Sequence, residues 1–133
     1  MRFTKSIAVE LKIQNNTNGS QQLFLDVPQL KGKFIQGIEA FTQDQVAKTF
    51  TQNNVIPALA TNGILVNIVV NSDTILENIS YFTLVAAFNA GLIREYKNLK
   101  ININKSGIYI GDNTNILVGQ AVLFTFYYTD KEI

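Results

Sequence analysis

The chain has 133 residues and a formal net charge of +1, with 47 % hydrophobic, 11 % aromatic and 16 % charged residues. That length suits one domain with a core of its own, and the apolar content excludes a disordered chain. Scattered basic residues leave no footprint for nucleic acid, and the lack of cysteine and histidine excludes disulfide frameworks, zinc–thiolate sites and the Ser-His-Asp and Cys-His arrangements of hydrolases.

From the N-terminus, FTKSIAVELKI alternates, with Ile7, Val9, Leu11 and Ile13 on one face and Glu10 and Lys12 on the other, which predicts a strand with one wet side. QNNTNGS is a turn cluster, and Asn18-Gly19 is its hairpin signal. Gln22 to Val27 then reads as the returning strand, stopped by Pro28. GKFIQGIEAFT reads as a third strand, where Gly37 marks a bulge or a close neighbour. QDQVAKTFTQNN is loop-like with a helical turn at Asp44 to Lys48, and Pro57 confines VIPAL to an edge. ILVNIVVN is too apolar for one wet side and predicts a central strand, followed by a turn and short strand in SDTILENIS.

SYFTLVAAFNAG predicts a short helix, with Ser80 as N-cap and Gly91 as the residue after the last turn. IREYKNLK reads as a solvated loop. KNLKININ alternates, with Leu99, Ile101 and Ile103 inside, and SGIYIGD predicts another strand. After an NTN turn, ILVGQAVLFTFYY is the closing strand. Its first face carries Val122, Phe124, Phe126 and Tyr128 and must be core; its second carries Ala121, Leu123, Thr125 and Tyr127 and needs a cover.

Seven to nine short strands with turn signals between them, and at most two short helices, predict an all-β antiparallel sandwich. The count suits a single jelly roll of about eight strands spanning residues 1–133. An immunoglobulin-like sandwich is the other option, without its cysteine and tryptophan hallmarks.

No constellation for catalysis emerges, and no cofactor or metal is expected. The acids sit at strand ends and loops, except Glu39 inside an apolar strand. Glu39 is expected on the wet face, or else paired with a cation across a subunit boundary. Asp112, Asn113 and Asn115 in GDNTN place oxygens in a tight loop, but one carboxylate is thin for calcium, and Asx capping explains them. Phe24, Phe34, Phe41, Tyr96, Tyr109, Tyr127 and Tyr128 are candidates for a sugar platform, although aromatics at strand spacing usually serve the core. The longest apolar runs, GILVNIVV and YFTLVAAF, are too short to span a bilayer. Charge is below the usual share of about 25 %. Amides and hydroxyls carry the polar surface, which suits contact with other protein and also suits turns.

Three stretches, GIEAFTQDQVAKTF (Gly37 to Phe50), IREYKNLKININKSGIYI (Ile93 to Ile110) and LVGQAVLFTFYY (Leu117 to Tyr128), resemble small single-domain virion proteins of tailless bacteriophages. The resemblance implies a single jelly roll serving as a capsid vertex (penton) or minor capsid protein, set among double jelly-roll major capsid proteins. The implied partners are further copies of the chain, as a pentamer, and the major capsid protein. It implies no active site. The second face of the closing strand is expected to be covered in part by SYFTLVAAF and in part by a neighbouring subunit, with Leu123, Tyr127, Tyr128 and Glu39 as interface residues. The loops Gln14 to Ser20, Asp44 to Asn54 and Asp112 to Asn115 would meet neighbours or face outward. The rival reading is a small receptor- or carbohydrate-binding β-domain.

Overall fold

The computed structural model describes residues 5–43, 49–51, 63–70, 74–84, 93–114 and 116–133. The strands are β1 (Lys5–Lys12), β2 (Gln21–Leu23), β3 (Phe34–Gln43), β4 (Phe50–Thr51), β5 (Ile64–Val70), β6 (Thr74–Ser80), β7 (Arg94–Leu99), β8 (Gly107–Ile110) and β9 (Ala121–Thr129). One helical turn, α1 (Tyr81–Leu84), follows β6. The helical turn expected at 44–48, the Pro57 edge, residues 85–91 of the SYFTLVAAFNAG segment and Asn115 lie outside the described residues.

The strands form two antiparallel sheets. One has the order β1-β9-β3, with β4 and β7 both pairing β3; the other has the order β2-β8-β5-β6. The pairs β1·β9, β2·β8, β3·β7 and β5·β6 match the chain from its two ends inward, as in one long hairpin. The pairs β3·β9 and β5·β8 roll that hairpin over on itself. This is jelly-roll connectivity, so the expected all-β sandwich is the fold found. The two-residue β4 is an addition to the eight principal strands.

Between the sheets lies one apolar cluster. Val9, Leu11 and Ile13 come from β1 and the residue after it, Val122, Phe124 and Phe126 from β9, and Ile64, Val66 and Ile68 from β5. Phe24 stands edge-on to Phe124 at 5.1 Å and to Phe126 at 5.8 Å between ring centroids. Such pairs add about 0.5–1.5 kcal/mol each beyond area burial. Tyr81 closes one end of this stack, edge-on to Phe124 at 5.4 Å. Gln120 also points inward; it is 1 % exposed, and neither polar atom of its amide has a hydrogen-bond partner.

Several local expectations are corrected. Asn18-Gly19 does not close a hairpin, because β1 and β2 belong to different sheets. Gly19 donates instead to Ile110 O at 2.7 Å, starting the β2·β8 ladder. The strand expected over Gln22 to Val27 ends at Leu23. Arg94–Leu99, read as a solvated loop, is β7; as a strand on the rim of its sheet it tolerates Arg94, Glu95 and Lys97 facing water. The alternation in KNLKININ outlasts the strand: Leu99 ends β7, and Ile103 starts a 3-10 turn, yet Ile103 stays buried. The closing strand begins at Ala121, since Leu117 to Gln120 form a turn with Leu117 and Val118 exposed.

Two close fits explain sequence details. The register of β3 slips between Ile35 and Gly37, so Gln36 is the extra residue of a bulge, as Gly37 foretold. The slip places Ile35, Ile38 and Ala40 together in the core, which strict alternation forbids. At Gly107, a Cβ would lie 2.1 Å from Gln22 O, so β2 can approach β8 only if this position is glycine.

Candidate interaction face

The outer face of the β1-β9-β3 sheet is built by register. Leu123 of β9 stands between Glu10 of β1 and Phe41 of β3. Thr125 stands between Ala8 and Glu39, and Tyr127 between Ser6 and Gly37. Ser6, Ala8, Glu10 and Lys12 are exposed, whereas Leu123, Thr125, Tyr127 and Phe41 are half-buried. Exposure therefore falls from β1 toward β3.

Glu39 is only 7 % exposed, which corrects the expectation of a wet face. The physical reason is position: β3 lies inside its sheet, with β9 on one side and β7 on the other. Tyr127 opposes Gly37, which has no side chain, and its hydroxyl donates to Glu39 Oε1 on the same face. Partial burial, and then the neighbouring Glu39 carboxylate, push the Tyr127 phenol up to about 12. The pair is thus a carboxylate capped by a phenol that stays neutral at ordinary pH.

The four residues expected at an interface divide. Leu123, Tyr127 and Glu39 share the outer face. Tyr128 points the other way, opposite Lys5 and Ile35, and packs against the core cluster. The expected cover from SYFTLVAAF is also corrected in its described part. Tyr81 and Leu84 are buried between the sheets, not on the outer face. The Tyr81 hydroxyl donates to Phe41 O and also meets the backbone of Leu123, tying α1 to the end of the outer row. Burial raises the Tyr81 phenol far above its ordinary value of 10. Phe41 and Gly37 were missed as members of this face, because only the register of β3 against β9 brings them there.

At the other end of the sheet, Asp130 holds Lys33 at 2.7 Å and also pairs with Lys5. Those two ammonium groups, Lys33 first, draw the Asp130 carboxyl down to about 2. Beside them, Gln36 is fully buried in the bulge. Its amide donates to Asn98 Oδ1 at 2.8 Å and Thr129 Oγ1 at 3.0 Å, and accepts from Asn98 N–H at 3.0 Å. Asp112 Oδ1 accepts from the Thr114 N–H at 3.0 Å and hydroxyl at 2.7 Å, so this acid serves its own turn.

Of the aromatics considered for a sugar platform, Phe24 is core, and Phe34, Phe41, Tyr96, Tyr109, Tyr127 and Tyr128 are half-buried. Among the described residues no helix is long and apolar enough to cross a membrane. No protein-family model, curated protein or solved structure matches this chain.

Proposed function

We propose that the chain is a structural virion protein, a capsid vertex (penton) or minor capsid protein that works by assembly and not by catalysis. The reading places it as a homo-oligomer, a pentamer closing a vertex, in contact with the major capsid protein. The outer face of the β1-β9-β3 sheet supports this reading more than any other observation. A half-buried row of Leu123, Thr125 and Tyr127 runs beside the buried Glu39, to which Tyr127 donates. Such a row gains stability from further burial, and its Tyr127 hydroxyl is already satisfied within the chain. A closed ring would join this face to a different surface of the next copy.

Absolute mass in solution, by light scattering after size exclusion, tests the proposal. A discrete pentamer is the expected result, and Tyr127→Asp is expected to leave a folded chain of lower mass. A wild-type chain that stays near 14.8 kDa at every concentration and in the presence of the major capsid protein speaks against it. The rival, a carbohydrate- or receptor-binding domain, is favoured by a separate feature, a cleft at one end of the sandwich.

A further inference from the structure

Two crossings between the sheets frame this cleft. One is the β2–β3 connection, with its 3-10 turn Pro28–Leu30; the other is the β7–β8 connection. The space between them is about 600 Å³, within the usual range for small-ligand sites. Val27, Leu30 and Ile103 make an apolar floor continuous with the core. The second wall is pinned: Asn102 N–H donates to Val69 O at 2.7 Å, and Ser106 Oγ donates to Asn102 O at 2.8 Å while accepting from Val69 N–H at 3.0 Å. This wall is therefore set before any ligand arrives.

Charge is distributed unevenly around the rim. Lys31 stands on one wall and Lys100 on the other, with Asp26 beside Lys31's turn. Lys5 and Lys33 are both committed to Asp130. Among the described residues, Lys31, Lys100 and Asp26 enter no ion pair. The Lys100 ammonium sits 5.0 Å from the centroid of the Phe34 ring. Asn102 and Asn104 complete the wall.

We infer that this cleft binds an acidic sugar, a carboxylated or sulfated unit of a glycan. Lys31 from one connection and Lys100 from the other give the cleft two cationic side chains, which suits one anionic substituent. Asp26 accepts from hydroxyls, and the Asn104 carboxamide has both a donor and an acceptor for them. The aliphatic floor suits the apolar face of a sugar ring. An acidic peptide fits less well, since it would set carboxylates against Asp26 and offer few hydroxyls. The inference stands apart from the proposed assembly role, because the cleft shares no residue with the outer face of the β1-β9-β3 sheet.

Titration calorimetry on the full chain tests it with four probes: a uronate disaccharide, a sulfated disaccharide, a neutral disaccharide and a hexaglutamate peptide. At least one acidic sugar is expected to bind, with the neutral sugar and the peptide weaker by about tenfold or more, the size of one charge-assisted hydrogen bond. Lys31→Gln and Lys100→Gln change rim side chains, so the fold is retained, and each is expected to weaken the acidic sugar by about tenfold. Equal binding of the peptide, equal binding of the neutral sugar, unchanged affinity in both lysine variants, or no binding of any probe overturns the inference.

Discussion

Along β9 the two faces carry similar side chains and reach different ends. Val122, Phe124 and Phe126 are at most 1 % exposed and interlock with Phe24 and Tyr81. Leu123, Thr125 and Tyr127 are half-buried, and one polar pair with Glu39 stands where the other face has a ring stack. The inner row is held by the second sheet. The outer row is only half-buried, so its side chains retain area to bury. Hydrophobicity alone does not separate the rows; the second sheet packed against the inner one does.

The comparison breaks most readily at Phe124. Phe124→Ala should destabilise by about 3–5 kcal/mol in urea unfolding, through lost transfer energy and the cavity left behind. A loss below about 1 kcal/mol would mean the inner row is not packed as described. On the outer row, Tyr127→Phe should cost less, about 1–3 kcal/mol, because it removes a donor from the buried Glu39 carboxylate. Its sign with pH is definite. A phenol raised from 10 to about 12 contributes stability that is present below pH 10 and is lost as pH rises toward 12. Tyr127→Phe should therefore flatten the alkaline limb of the stability curve, read by melting temperature between pH 9 and 12 alongside tyrosinate absorbance. The smallest effect has the opposite sign. Gln120→Leu keeps nearly the same volume and removes two unpartnered polar atoms, so it should stabilise by about 1 kcal/mol and raise Tm by about 4 °C. An unchanged or lower Tm would mean that an ordered water already serves that amide.

Much of this fold is legible residue by residue. The alternation in β1 places Val9, Leu11 and Ile13 correctly, and the continuous apolar run of β5 belongs to a strand with neighbours on both sides. Gly37 foretells the bulge. Pairing partners are another matter, since Asn18-Gly19 signals a turn without saying whether the chain returns to the same sheet or crosses to the other. Leu117 and Val118 look like strand, but Gly119 takes φ +93 and donates to Ile13 O, which makes the turn. The burial of Glu39 could not be read locally, because the hydroxyl that satisfies it arrives with Tyr127 near the other end of the chain. The same holds for the cleft, whose two lysines come from distant segments with no shared pattern.

Gln22 carries a consequence for the open edge of β1. Its amide donates to Lys12 O and accepts from Gln14 N–H at 3.0 Å, the two backbone groups that β1 turns away from β9 at its upper end. A side chain from one sheet thus stands in for a missing strand on the other. With Lys5 and Lys12 exposed along the same rim, β1 offers a short and guarded template for foreign strands. Edge-to-edge growth, the common failure of β proteins kept at high local concentration, is thereby hindered at the Lys12 end of β1.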